Sequence, residues 1–123
     1  MSHKVLVADD SGTMRKIIIR SLNAVNVTDI TEAGNGDEAW DCFQQDTFDI
    51  VLTDWNMPGK TGLELLKCIR EVNKDVPVIL ITTEAEKSRV LQAIQAGVSD
   101  YLVKPFEADA LRAKLGKLVG VAT

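Results

Sequence analysis

Asp54 closes the apolar run Ile50-Val51-Leu52-Thr53 and is followed at once by Trp55-Asn56-Met57-Pro58-Gly59. The Pro-Gly pair forces a turn there. A carboxylate at such a junction sits at the carboxyl end of a buried strand, the edge where open α/β sheets place their ligand chemistry. Two more acids, Asp9 and Asp10, end an earlier apolar run, Val5-Leu6-Val7-Ala8. If the two runs are neighbouring strands, Asp9, Asp10 and Asp54 converge. Carboxylates brought that close repel one another and cannot all stay ionised cheaply. Either some are protonated or a cation sits among them. Ligation by a few carboxylates and water is the chemistry of Mg²⁺. In that arrangement Asp10 and Asp54 bind directly, and Asp9 acts through water or orients a ligand.

Thr82 ends a third apolar run and Lys104 follows a fourth. Both reach the same sheet edge, one beyond each successive strand. They add a hydroxyl donor and a long-armed ammonium to the acids. A divalent cation, a carboxylate, a hydroxyl and a lysine describe a phosphoryl-binding site. Transfer to Asp54 places charge on the phosphoryl oxygens, which a cation and Lys104 neutralise while Thr82 donates a hydrogen bond. The carboxylate is then a covalent acceptor. An acyl phosphate is a mixed anhydride prone to hydrolysis, so it suits a transient mark, a switch.

The elements that must position these residues are legible as alternating patterns. Val5-Leu6-Val7-Ala8 reads as a strand buried on both faces. Met14, Ile17, Ile18, Leu22 and Val25 recur at helical spacing and predict a helix over about 12–25. A weaker strand follows over 27–33, then a helix that Asn35 caps and that carries Ala39, Trp40 and Phe43. The third strand spans 48–53, and the segment from 54 to 60 is a loop. Thr61-Gly62-Leu63-Glu64 has capping-box spacing and opens a helix expected to turn Leu65, Leu66, Ile69 and Val72 inward. A fourth strand over 76–82 tolerates Pro77 at its start. Thr83 and Glu86 again have capping-box spacing, ahead of a helix read from Val90, Leu91 and Ile94 and stopped by Gly97. Tyr101-Leu102-Val103 is a short fifth strand. The last helix, over about 107–119, shows Leu111, Leu115 and Leu118.

Strand and helix thus alternate five times. That predicts an α/β domain of three layers, a five-stranded parallel sheet with helices on both faces, because crossovers are right-handed. Strand order 2-1-3-4-5 is adopted from the general rule for doubly wound sheets of this size. The whole chain, 1–123, is expected to form a single domain.

Composition narrows the function classes. Net charge is −4 with no basic run, so there is no electrostatic footprint for nucleic acid. No apolar run approaches the roughly 20 residues that span a bilayer, and the start of the chain lacks a signal-peptide pattern. A cytoplasmic protein is expected. Cys42 and Cys68 match no zinc or redox spacing and are expected to be reduced, partly buried small hydrophobes.

Taken together, Asp9-Asp10, Thr53 to Gly59, Thr82 and Tyr101-Leu102-Val103-Lys104-Pro105-Phe106 resemble the receiver domain of two-component response regulators. The similarity spans essentially the whole chain. Asp-Asp-Ser-Gly-Thr-Met-Arg at 9–15 and the Trp-Asn-Met-Pro segment look closest to single-domain chemotaxis regulators of the CheY type. The resemblance implies a flavodoxin-like fold and a phosphorylation-dependent switch rather than an enzyme. It implies that Asp54 accepts the phosphoryl group from a histidine kinase's phosphohistidine. Asp10, Asp54 and the carbonyl of Asn56 would hold Mg²⁺, with Asp9 supporting through water. Lys104 would contact the phosphoryl group, Thr82 would move to bond it, and Tyr101 would turn inward behind it. The Lys104-Pro105 bond would be cis. Asn56 and Glu84 would tune how fast the mark is lost. The partner would dock on the fourth helix, fifth strand and fifth helix, with Val90, Tyr101, Val103 and Lys114 on that face. A flagellar motor switch is the favoured target, and a monomer is expected. A phosphotransfer intermediate, or a receiver domain excised from a longer regulator, is the alternative.

Three competitors fit less well. A flavodoxin-type electron carrier needs a hydroxyl- and glycine-rich phosphate loop after strand 1, where Asp9-Asp10 would repel a flavin phosphate. A Mg²⁺-dependent phosphohydrolase of the haloacid-dehalogenase type wants Asp-x-Asp there, plus a cap domain. An unphosphorylated scaffold would not need the full acid, threonine and lysine set.

Overall fold

The computed structural model describes residues 3–83, 87–104 and 106–119. Its elements run β1 (Lys4–Ala8), α1 (Gly12–Asn23), β2 (Asp29–Ala33), α2 (Gly36–Gln45), β3 (Ile50–Thr53), α3 (Gly62–Val72), β4 (Val78–Thr82), α4 (Lys87–Gln95), β5 (Asp100–Val103) and α5 (Ala108–Val119). The five strands form one parallel sheet in the order β2-β1-β3-β4-β5. The expected fold class and strand order are both present.

Sheet alternation splits the core into two layers. Leu6, Ala8, Val51, Val78 and Leu80 point to one face and pack with Ala39 of α2, Leu65, Leu66 and Ile69 of α3, and Ala93 of α4. Val5, Val7, Ile50, Leu52, Ile79 and Ile81 point to the other and pack with Ile18 and Leu22 of α1 and Leu111 and Leu115 of α5. Strands β1, β3 and β4 therefore carry apolar residues on both sides, which is why they read as unbroken runs. Burying each Leu or Ile contributes about 1.5–3 kcal/mol, so this double-sided core fixes the register that aligns the strand ends.

The caps follow the sequence closely. Asn35 accepts from the Glu38 amide at 2.8 Å. Thr61 and Glu64 form the full capping box at the start of α3. Ser11 caps α1 by accepting from Met14 N at 3.2 Å, which leaves Asp9 and Asp10 outside the helix. Gly97 follows α4 with φ +93°, a backbone conformation that favours glycine.

Several expected inward residues point elsewhere. Val72 is 68% exposed, because it is the last residue of α3. The end of that helix is held instead by Arg70, which donates to the carbonyls of Val76 and Gly97. Leu91 and Ile94 are exposed, and α4 meets the core through Ala93. Ile17 is also largely exposed. The second strand begins at Asp29 rather than at residue 27, since Val27 still donates to the Leu22 carbonyl in the turn after α1. Cys42 and Cys68 are free thiols, each half-buried. Glu86 and the side chain of Leu118 lie outside what is described. No helix among the described residues is long and apolar enough to cross a membrane.

Candidate functional site

β1 and β3 are neighbours, with Ala8 opposite Thr53. The residues that follow them, Asp9 and Asp54, therefore leave the sheet side by side. The Asp54 amide donates to the Ala8 carbonyl at 2.8 Å, which locks the two exits together. Asp9, Asp10 and Asp54 each place a carboxylate oxygen within 4.8 Å of the others. Asp9 and Asp54 are buried, and Asp10 is exposed. This is an all-oxygen donor set with one open side, which fits a hard divalent cation that keeps some of its water.

Lys104 lies across the same cleft. It follows β5, and its amide donates to the Thr82 carbonyl at 2.8 Å, so the ends of β4 and β5 stay adjacent. Its ammonium donates to Asp9 Oδ2 at 2.9 Å and sits 3.3 Å from Asp54 Oδ2. Burial pulls the Lys104 ammonium down, but the hydrogen bond to Asp9 and the charges of Asp54 and Asp9 outweigh it. The group is held above its ordinary value and stays charged. Burial pushes the Asp54 carboxyl up, against the pull of the Lys104 charge, and the Asp9 charge adds to the upward push. The Trp55 amide partly opposes this by donating to Asp54 Oδ1 at 2.8 Å. Asp54 is thus a carboxylate short of positive charge, beside a lysine that is firmly charged.

The other expected site residues occupy distinct places. Thr82 is fully buried at the end of β4, two residues beyond the Leu80 that pairs with Thr53. Asn56 is exposed on the loop after Asp54. Tyr101 is half-buried in β5 and packs against the core layer that holds Trp55. Glu84 and Pro105 lie outside the described residues, and so does the geometry of the Lys104-Pro105 bond.

Sequence reasoning missed four supporting residues. Gly62 opens α3 and donates to the Trp55 carbonyl at 2.8 Å. A Cβ there would strike the Asp54 carbonyl oxygen and come within 2.9 Å of Leu80 Cδ2. The signal was available: glycine sits at a helical position where better helix formers are favoured. Thr53 turns its hydroxyl to the Asp54 carbonyl at 2.9 Å. Arg89 of α4 lies over the Trp55 ring, 5.2 Å from its centroid. Arg15 reaches back to the Asp9 carbonyl. Arg89 meets Trp55, and Arg15 meets Glu32, through tertiary contacts that no local spacing reveals, whereas Thr53 bonds the very next residue.

Comparison with known proteins bears on this arrangement. Residues 5–116 match the model of the response regulator receiver domain. The chain is 44% identical over 123 residues to a "Chemotaxis protein CheY homolog" of Campylobacter jejuni, covering 98% of this chain and 95% of that protein. It is 43% identical over 117 residues to the "Chemotaxis protein CheY" of Pseudomonas aeruginosa, covering 94% of each. Among solved structures, Vibrio cholerae chemotaxis protein CheY4 superposes with a TM-score of 0.89 at 31% identity, covering 96% of this chain and 99% of that one.

Proposed function

The chain belongs to the response regulator receiver domains, and on that footing we propose that it is a chemotaxis switch phosphorylated at Asp54 by a histidine kinase. The observation that carries this reading is the meeting of Asp9, Asp10 and Asp54 with the Lys104 ammonium at the carboxyl edge of the sheet.

Asp10, Asp54 and the Asn56 carbonyl would hold Mg²⁺, with Asp9 in support. When bound, Mg²⁺ neutralises charge on the acids and on the transferring phosphoryl oxygens. An Asp54 carboxylate oxygen forms the new bond to phosphorus as the bond to the donor imidazole breaks, and the imidazole leaves. The Trp55 amide orients that carboxylate by holding Oδ1. Lys104 exchanges part of its contact with Asp54 for a phosphoryl oxygen, and Thr82 donates to another. These contacts exist only with the phosphoryl group present, so they are what shifts the population between two states. Asn56 and Glu84 set the rate at which water reaches the acyl phosphate.

The output face is α4, β5 and α5, with Tyr101 turning inward as Thr82 moves. Val103 is 39% exposed on that face, and Lys114 is drawn to Asp100 at 2.8 Å. The partner is a component of the flagellar motor switch. The chain acts as one cytoplasmic domain over residues 1–123, as a monomer, and signals by protein contact without binding nucleic acid.

Trp55 reports the chemistry, because its amide holds the acceptor carboxylate. Its emission is expected to change on adding Mg²⁺ and again on adding beryllofluoride, with Trp40 as a constant background. An Asp54→Asn variant that gives the same second step rules the reading out.

A further inference from the structure

Arg15 belongs to none of the phosphoryl-handling roles above, yet it touches the acid loop directly. It stands one turn after the Ser11 cap of α1 and is half-buried. Its Nη1 donates to the Asp9 carbonyl oxygen at 2.6 Å, and its Nε donates to Glu32 Oε1 at 3.0 Å. Glu32 is the penultimate residue of β2, and the next residue, Ala33, accepts from the Asp9 amide at 3.1 Å. One guanidinium therefore joins the exit of β1 to the exit of β2, from the first turn of α1.

The Asp9 carbonyl is one end of the peptide that carries Asp10. Peptide planes are rigid, so fixing that oxygen fixes the direction in which the chain enters Asp10. Asp9 needs no such help, since its carboxylate is held by the Ser11 amide at 2.9 Å and by Lys104. Asp10 is exposed and depends on its backbone for its aim.

We propose that Arg15, charge-balanced by Glu32, is a positioning residue that aims Asp10 at a divalent cation. The inference rests on the acid cluster being a Mg²⁺ site. It also has a sign that simple electrostatics does not share. A guanidinium near a cation site repels the cation, so by charge alone its removal tightens binding. If Arg15 positions Asp10, its removal weakens binding. The Glu32 partner explains how a cation is tolerated so near the site.

The test is calorimetric titration of the whole chain with MgCl₂ alone, with folding followed by thermal melts in EDTA. The double variant Arg15→Gln/Glu32→Gln leaves net charge unchanged and removes the strut. Its Mg²⁺ dissociation constant is expected to rise about 10-fold or more, as for other residues that orient metal ligands. Arg15→Lys keeps the charge and the aliphatic stem but cannot span both partners, and a several-fold rise is expected even if the double variant folds poorly. A merely structural role would lower the metal-free melting temperature and leave the dissociation constant where it was. Wild-type affinity in Arg15→Lys, or in a folded double variant, overturns the inference while the Mg²⁺ site stands. A wild-type chain that binds no Mg²⁺ overturns both.

Discussion

Gly62→Ala is expected to destabilise the protein, against the usual rule for helices. Replacing glycine by alanine inside a helix ordinarily gains up to about 1 kcal/mol. Here the new methyl strikes the Asp54 carbonyl oxygen and crowds Leu80 Cδ2 at 2.9 Å. The carbonyl belongs to backbone tied to Ala8, so it cannot swing aside as a flexible side chain can. Overpacking of this kind costs about 1–3 kcal/mol. Displacing α3 also strains the Gly62 to Trp55 hydrogen bond, worth about 1 kcal/mol. Set against the propensity gain, the net loss is about 1–3 kcal/mol. With a urea slope of about 1–3 kcal/mol per molar, the midpoint falls by roughly 1 M. The loop after β3 moves with α3, so the Mg²⁺-induced change in Trp55 emission is expected to shrink as well. A midpoint equal to or above that of the wild type would refute the reasoning.

Three further outcomes follow from the same geometry. The folded-state pKa of Asp54 is raised, so the folded chain holds an extra proton between the unfolded and folded values, and stability falls as pH rises through that window. Asp54→Asn removes the penalty and is expected to melt higher than wild type in EDTA near neutral pH. Saturating Mg²⁺ at 100 times its dissociation constant adds about 2.7 kcal/mol to whichever chain binds it, so the order of melting is expected to close or invert for wild type. Lys104→Met strips the cationic partner from Asp9, which is 1% exposed and keeps only the Ser11 amide among the described residues, and is expected to cost about 3 kcal/mol in metal-free urea titrations and less with Mg²⁺ present. On the acid side, the hydrogen bond and charge of Lys4 lower Asp46, and the Thr61 cap lowers Glu64. Their contributions are complete above the unfolded carboxylate values and are lost as pH falls through the lower folded ones, so a melting series below about pH 4 should steepen. Added salt should blunt the Asp46 part, because that pair is exposed.

The strands that carry the site could be read directly because burial on both faces leaves no polar interruption in Val5 to Ala8, Ile50 to Leu52 or Val78 to Ile81. Their ends were equally plain, since Asp9, Asp54 and Thr82 stand where the apolar runs stop. The helices were harder. A helix shows its core face through large apolar residues, and α4 instead meets the core through Ala93, a small residue that no apolar count singles out. Val72 fitted the inward period, but the helix ends there, with nothing left to cover it. The supporting side chains were invisible for another reason. Arg15 with Glu32 and Arg89 with Trp55 pair across 17 and 34 positions, and only the folded chain brings them together. Gly62 looked like part of a capping box, and its second role depends on how closely α3 approaches the Asp54 carbonyl.

The central claim is that Asp54 is the phosphoryl acceptor. Intact mass measured after incubation with acetyl phosphate and Mg²⁺ tests it most directly. Wild-type protein is expected to gain the mass of one phosphoryl group, to lose it on treatment with hydroxylamine, and to gain nothing in EDTA, while Asp54→Asn gains nothing under any condition. A phosphorylated Asp54→Asn chain at wild-type stoichiometry would contradict the account.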